Sequence, residues 1–184
     1  VKDYTQAALH KRIGYVTQKA RLFDGTIKSN IAYGDNGKDG FLESDIVEAV
    51  YTAQANEFVE KLQGGYDAIV TPGGTNLSGG QKQRVSIARA IARQPEIFIF
   101  DDSFSALDYQ TDRQLRESLR KDCADATKLI VAQRIGTIKD ADRIIVLDKG
   151  RMVGNGTHDE LMKTSAEYQE IAYSQLSKEE LANE

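Results

Sequence analysis

The chain contains no tryptophan, only two prolines and a single cysteine in its 184 residues. Cys123 therefore has no partner for an internal disulfide, which fits a reducing, cytosolic compartment. The sequence also lacks an apolar stretch near the roughly 20 residues that cross a bilayer, and its N-terminus shows no charged-then-apolar signal pattern. Any connection to a membrane is therefore predicted to run through a partner or through a segment outside this sequence.

A strong charge of one sign is missing as well. The 24 Lys and Arg residues are nearly balanced by 28 Asp and Glu residues, which gives a net charge of −4. A sequence-independent nucleic-acid binder usually has a basic face, so nucleic acid is not expected as a partner. Hydrophobic residues make up 40% and charged residues 28% of the chain, a balance typical of a globular domain rather than of a disordered chain.

Apolar runs alternate with helical patterns along the chain. Strands are predicted at four runs, which are 13–16, 97–100, 129–132 and 144–147. The last three read as strands buried on both faces of a parallel sheet. Helices are predicted over about 44–62 and from Ser78, Thr111 and Thr157 onward, with a hairpin turn at Lys149-Gly150 before the last. This order predicts an α/β fold with a mostly parallel sheet, in which 44–62 is a helical insertion.

The most informative motif is Leu77-Ser78-Gly79-Gly80-Gln81. It places a Ser-x-x-Gln capping box at the start of a predicted helix, with two glycines that let a phosphate approach the backbone. The unpaired N–H groups and the positive end of the helix dipole point at such an anion. Taken alone, however, the same residues are equally consistent with an ordinary helix start.

These five residues are identical to the signature motif of ABC ATPases, and further motifs of that family follow its order along the chain. They are Gln18 for the Q-loop, 97–101 for the Walker B strand, 105–108 for the D-loop and 131–134 for the H-loop. The chain thus resembles the nucleotide-binding domain of an ABC transporter over essentially its whole length. The stretch 22–34 is similar to the exporter branch of the family, in which this domain is fused to membrane-spanning helices.

The resemblance implies an architecture and a set of partners. The fold is expected to be a partial P-loop NTPase core with a mostly parallel sheet, plus an α-helical subdomain. Residues 35–93 are expected to hold the helical subdomain and the signature helix, while 1–34 and 94–184 form the rest of one domain. The implied partners are a second nucleotide-binding domain and a transmembrane domain, at the cytoplasmic face of the cell membrane.

The resemblance also implies ATP and Mg²⁺ as cofactors. Asp101 is expected to hold Mg²⁺ through water, and Gln18 to approach the metal and the lytic water. Asp108 is expected to help join the two sites of a dimer. The residues expected to contact the γ-phosphate of the partner's ATP are Ser78, Gly79, Gly80 and Gln81.

One motif of the family is absent from the sequence. A P-loop requires Gly-x-x-x-x-Gly-Lys-[Ser/Thr], and the only Gly-Lys pair, Gly37-Lys38, is followed by Asp39 and has Ala32 where the first glycine belongs. The family's P-loop precedes the Q-loop. We therefore expect a fragment without its first strands and P-loop, with exposed apolar sheet surface, weak ATP binding and no ATPase activity of its own.

Two catalytic positions also depart from the family's pattern. Asp102 stands where competent members carry glutamate, and its shorter side chain places the carboxylate farther from an attacking water. Gln133 replaces the switch histidine, and a neutral amide cannot carry a charge or shuttle a proton. Together with the intact signature motif, this pattern resembles the degenerate subunit of heterodimeric multidrug exporters, whose signature completes the partner's competent site.

Two alternatives remain open. Non-transport proteins with the ABC fold act in DNA repair and translation, but the sequence shows no heptads, tandem copy or basic stripe. A module that uses the dimer interface without nucleotide is the other alternative, since half of the nucleotide site is expected to be absent.

Overall fold

The computed structural model describes residues 2–35 and 40–182, with side chains as far as Gln175. The rejected P-loop candidate, Gly37-Lys38, lies outside these described residues. The chain divides into two compact units, Val1–Val131 and Ala132–Glu184. No helix in the described ranges is long and apolar enough to cross a membrane.

The first unit contains six helices and five strands among its described residues. In chain order they are α1 (Gln6–Arg12), β1 (Ile13–Val16), β2 (Gly25–Thr26), α2 (Ile27–Ile31), α3 (Glu43–Thr52), α4 (Asn56–Val59), β3 (Ile69–Val70), α5 (Gly79–Ala92), β4 (Ile97–Asp101), α6 (Tyr109–Asp122) and β5 (Thr127–Val131), with short 3₁₀ turns at Gly65–Asp67 and Pro72–Gly74.

Three of these strands form a parallel sheet in the order β1-β4-β5. Even-numbered residues such as Phe98 and Phe100 point into the core because side chains alternate along a strand. Odd-numbered residues point to the other face, where Leu129 and Val131 are 54% and 51% exposed. The predicted α/β fold with a parallel sheet is confirmed, but the prediction that β5 is buried on both faces is wrong.

Helix α5 is the element around which the first unit packs. Val85, Ile87 and Ala88 on this helix are fully buried, and α2, α3 and β1 pack against it. The single helix predicted over 44–62 is instead two helices, α3 and α4. Gln54 lies between them with a φ of 55°, a left-handed conformation that ends the first helix.

Helix α6 begins earlier than predicted. The sequence pattern placed its start at Thr111, whereas the helix begins at Tyr109 with Asp108 as its N-cap. The Asp108 carboxylate accepts a hydrogen bond from the backbone N–H of Thr111, so the cap lies three residues before the predicted start.

The second unit contains α7 (Ile135–Ile138), β6 (Ile144–Asp148), β7 (Arg151–Gly156), α8 (His158–Thr164) and α9 (Ala166–Ala182). Strands β6 and β7 form an antiparallel hairpin whose turn residues both have positive φ, 47° at Lys149 and 76° at Gly150. These values fit the type I′ turn that matches strand twist. The turn was predicted correctly, but β6 is not part of the parallel sheet.

A small core of Ile144, Val146, Leu161 and Tyr168 holds the second unit together. Thr157 and Glu160 form the predicted capping box at the start of α8. This helix is not the last, because α9 follows directly after it. The finer division into a helical subdomain at 35–93 and a remaining core stays a prediction.

Candidate functional site

The N-terminus of α5 carries the signature residues in a closed capping box. The backbone N–H of Ser78 donates to the Gln81 side chain at 2.9 Å, and the backbone N–H of Gln81 donates to Ser78 Oγ at 3.2 Å. The cap therefore satisfies the N–H groups of Ser78 and Gln81. The N–H groups of Gly79 and Gly80 belong to the same first turn, where a helix has no acceptor of its own to offer.

The two glycines have different surroundings. A Cβ built on Gly79 would meet no atom within 4 Å, whereas one built on Gly80 would lie 3.3 Å from the carbonyl oxygen of Ala106. Gly80 thus lets the helix pack closely against the loop after β4. Gly79 faces open space, where a side chain would occupy the volume next to the N–H groups of the first turn. This end of α5 fits a phosphate by its donors, its space and its dipole.

Two adjacent carboxylates lie where β4 ends. The phenol of Tyr15 donates a hydrogen bond to Asp101 Oδ2, and the side-chain amide of Gln18 donates one to Asp102 Oδ2, each at 2.9 Å. Asp102 has a φ of 46°, in the left-handed region that aspartate tolerates better than most residues. The structure therefore brings three predicted site residues together, namely Gln18, Asp101 and Asp102.

Buried polar side chains fix the segment that carries Gln18. Ser103 Oγ donates to the carbonyl oxygen of Val16 at 2.8 Å, and Gln83 Nε2 donates to that of Thr17 at 3.0 Å. Ser103 is fully buried and Gln83 is 2% exposed. Sequence reasoning did not single out these two residues, because their role depends on contacts between distant segments.

Tyr15 is not among the site residues that the sequence predicts. Its pKa is raised, first by the hydrogen bond to Asp101 and further by desolvation, so the phenol stays protonated and donates at neutral pH. No local sequence signal indicates this contact, because it follows from the register of β1 against β4. Ile13 pairs with Ile97, so Tyr15 and Asp101 lie on the same face of neighbouring strands.

The carboxylate oxygens of Asp101 and Asp102 are ligands of the kind that Mg²⁺ prefers. No group of three or more His, Cys, Asp or Glu residues in the described chain is placed to hold a metal ion alone. Mg²⁺, however, is commonly bound by one or two carboxylates together with phosphates and waters. Asp101 and Asp102 supply such a carboxylate pair, so they fit Mg²⁺ that arrives with a nucleotide.

Asp108 is engaged by the cap of α6. Its Oδ1 accepts from the Thr111 N–H at 2.9 Å, and its Oδ2 accepts from the Thr111 hydroxyl at 2.7 Å. These two hydrogen bonds lower the pKa of the Asp108 carboxyl, and attraction by Arg84 adds to the effect. Asp108 therefore caps α6 at the end of the loop that follows β4.

Gln133 belongs to the second unit, where its backbone is clamped by Gln175. Gln175 Nε2 donates to the carbonyl oxygen of Gln133 at 2.6 Å, and its Oε1 accepts from the N–H of Ile135 at 2.7 Å. One glutamine of α9 thus fixes the segment that opens α7. The sequence did not predict this clamp.

A groove of about 450 Å³ lies beside the segment that carries Gln18. Phe23 and Tyr33 stack in it with ring centroids 4.2 Å apart, and they are 43% and 50% exposed. The Arg89 guanidinium lies 5.1 Å from the Phe23 centroid. The groove therefore presents exposed aromatic side chains beside a guanidinium, and Tyr15 and Thr17 also line it.

Comparison with known proteins identifies the family of the chain. Residues 1–105 match the family model described as ABC transporter. The chain is 45% identical over 97% of its length to YfiB of Bacillus subtilis, an uncharacterized ABC transporter ATP-binding protein. It is 43% identical over 92% of its length to the ATP-dependent lipid A-core flippase of Desulfotalea psychrophila. The chain spans 30% and 29% of these two relatives.

A solved structure shows the same fold. A bacterial Atm1-family ABC exporter with ATP bound superposes with a TM-score of 0.89 and 37% sequence identity, over 96% of this chain and 30% of that chain. At this identity and coverage the likeness extends beyond fold class. The chain therefore belongs to the ABC transporter family, as part of its ATP-binding domain.

Proposed function

We propose that this chain helps to power an ABC exporter by lending its signature helix to a nucleotide site on a partner domain. The observation that carries the proposal is the start of α5, where Gly79 faces open space beside N–H groups with no intrahelical acceptor. Ser78, Gly79, Gly80 and Gln81 would together contact the γ-phosphate of ATP held by the partner. Asp108, fixed by the α6 cap, would stand at the junction of the two sites.

In the full-length subunit, the site to which this chain contributes would bind Mg²⁺-ATP and hydrolyse it slowly. Asp101 would hold the metal through water, and Gln18 would lie between the metal and the lytic water. Mg²⁺ neutralises phosphate charge when it is bound. The side chain of Asp102 is shorter than that of a catalytic glutamate, and its carboxylate already accepts a hydrogen bond from the side-chain amide of Gln18. The neutral amide of Gln133 cannot act as a proton shuttle. Slow hydrolysis follows from these two substitutions.

The transmembrane domain is the second proposed partner, at the cytoplasmic face of the cell membrane. The groove of Phe23, Tyr33 and Arg89 is also lined by Tyr15. A helix docked there would contact Tyr15, which donates a hydrogen bond to Asp101. Exposed aromatic side chains next to a guanidinium are common anchors at protein interfaces. This contact would couple nucleotide state to the transport pathway.

The signature role is tested by Ser78→Asp in the assembled transporter. Aspartate keeps the helix cap but places a negative charge where the partner's γ-phosphate would lie. We expect hydrolysis at the partner's site to fall by about 100-fold, the usual effect of losing one stabilising donor. Thr157→Asp is the matched control, because Thr157 caps α8 in the same way and belongs to no predicted motif. Unchanged turnover in Ser78→Asp would contradict the proposal.

The degenerate site is tested separately. With the partner's site disabled, Asp102→Glu combined with Gln133→His should raise hydrolysis at the site of this chain. Phosphate release from the assembled transporter is the measurement. If the double variant hydrolyses ATP no faster than the unaltered chain, the two substitutions are not what limits this site.

A further inference from the structure

Tyr15 and Asp101 lie on neighbouring strands of the parallel sheet and share its exposed face. The Tyr15 hydroxyl is 2.9 Å from Asp101 Oδ2, although the two residues are 86 positions apart in sequence. Tyr15 is 53% exposed, so burial of its ring is not what keeps it at this position. The aromatic side chain has only two torsions and places its hydroxyl at little cost in conformational entropy.

We propose that Tyr15 is a positioning residue that holds the carboxylate of Asp101 in the orientation needed for Mg²⁺. The proposal rests on the proposed function, in which Asp101 holds the metal through water. With Oδ2 occupied by the phenol, Oδ1 remains to accept from the water shell of the ion. A second-shell hydrogen bond of this kind fixes a carboxylate rotamer before the metal arrives.

The neighbouring carboxylate receives its donor from the same segment. Gln18, three residues after Tyr15, donates to Asp102 at 2.9 Å. Each of the two carboxylates thus accepts a hydrogen bond from this one segment. Since both donors lie within residues 15–18, a displacement of this segment would change the orientation of both carboxylates together. Tyr15 therefore links the position of the segment to metal binding.

The test compares Tyr15→Phe with the unaltered protein in the assembled transporter. Phenylalanine keeps the ring and removes only the donor. Using Mn²⁺ as the probe, we expect its affinity in the presence of ATP to fall by about tenfold, the lower end of effects for such outer partners. The affinity for ATP measured in EDTA should stay unchanged, because Tyr15 acts through the metal ligand.

Tyr51→Phe is the matched control. Tyr51 is also half exposed, and its hydroxyl donates to Glu60 at 2.9 Å, so the variant loses the same kind of bond on α3. Its Mn²⁺ affinity should equal that of the unaltered protein. An equal loss in both tyrosine variants would overturn the proposal, since the effect would then be structural.

An Asp101→Asn background keeps the result interpretable if Tyr15→Phe is less stable. In that background, removal of the Tyr15 hydroxyl should no longer change Mn²⁺ affinity. A persisting tenfold loss there, or an unchanged or tighter Mn²⁺ affinity in the single variant, would overturn the proposal. If ATP binding by the unaltered transporter did not depend on Mn²⁺, the proposed function itself would be contradicted. This result differs from an effect of Tyr15→Phe that contradicts only the role of Tyr15.

Discussion

The side-chain amide of Gln18 donates a hydrogen bond to the carboxylate of Asp102, with 2.9 Å between Nε2 and Oδ2. Asp102 accepts it from a left-handed backbone conformation, with a φ of 46°. Two features thus meet at one residue, a short carboxylate and a backbone geometry that aspartate and asparagine tolerate better than longer side chains. A longer side chain at this position is therefore expected to lower the stability of the fold.

The first prediction concerns that stability. Asp102→Glu should lower the free energy of unfolding by up to about 1 kcal/mol, because glutamate lacks the short polar side chain that favours a left-handed residue. Asp102→Asn should be nearly neutral, since asparagine tolerates the same conformation. Equilibrium unfolding in urea measures both variants. A Glu variant at least as stable as the unaltered chain would show that the backbone at Asp102 carries no such preference.

The second prediction separates the two signature glycines. Gly79→Ala should leave the free energy of unfolding unchanged or slightly raised, because its Cβ meets nothing and alanine favours a helix. Gly80→Ala should lower it, because its Cβ would lie 3.3 Å from a backbone oxygen that cannot move freely. Both variants should reduce hydrolysis at the partner's site, and only Gly79→Ala should do so without loss of stability. Full turnover in Gly79→Ala would contradict the proposed phosphate contact.

Local features of this fold could be predicted from the sequence. The capping boxes of Ser78 with Gln81 and of Thr157 with Glu160 depend on residues three apart, and both are present. The hairpin turn at Lys149-Gly150 is local in the same sense. Strand β1 was predicted with its observed bounds, since its apolar run is bordered by polar residues.

Features that depend on distant partners could not be predicted. The apolar run of β6 indicates a strand but not its neighbour, which is antiparallel β7 rather than the parallel sheet. The break at Gln54 has no glycine or proline to signal it. At the site, the pairing of Tyr15 with Asp101 requires the register of β1 against β4, which the sequence alone does not define.

The third prediction concerns the anchor of the aromatic groove. Arg89 donates to the backbone and side-chain oxygens of Asn30 and to the carbonyl of Arg21, at 2.7 to 2.9 Å. Arg89 is partly buried, and desolvation of its guanidinium lowers the pKa of this group. Arg89→Ala should cost about 3 kcal/mol of unfolding free energy, because Asn30 is 1% exposed and would lose its charged donor.

A lysine at position 89 tests whether the positive charge of Arg89 or the geometry of its guanidinium stabilises the fold. Arg89→Lys keeps the positive charge but cannot reach all three acceptors with a single ammonium group. We expect a loss of stability intermediate between those of the alanine variant and the unaltered chain, measured by the same unfolding experiment. A lysine variant as stable as the unaltered chain would show that the planar guanidinium of Arg89 is not required for stability.

The last prediction is a pH dependence that originates at Asp108. The two hydrogen bonds from Thr111 hold the pKa of this carboxyl below its usual value, so the folded chain favours the ionised form. The stabilisation is therefore present above the unfolded pKa, near 4, and is lost as pH falls through the lower folded pKa. Asp108→Asn keeps a helix cap without a titrating group, so it should be almost as stable at pH 7 and lose less stability below pH 4. The melting temperatures of both chains, measured from about pH 7 to about pH 2, test this difference. If the melting temperatures of the two chains fell equally as the pH was lowered, Asp108 would contribute nothing to acid sensitivity.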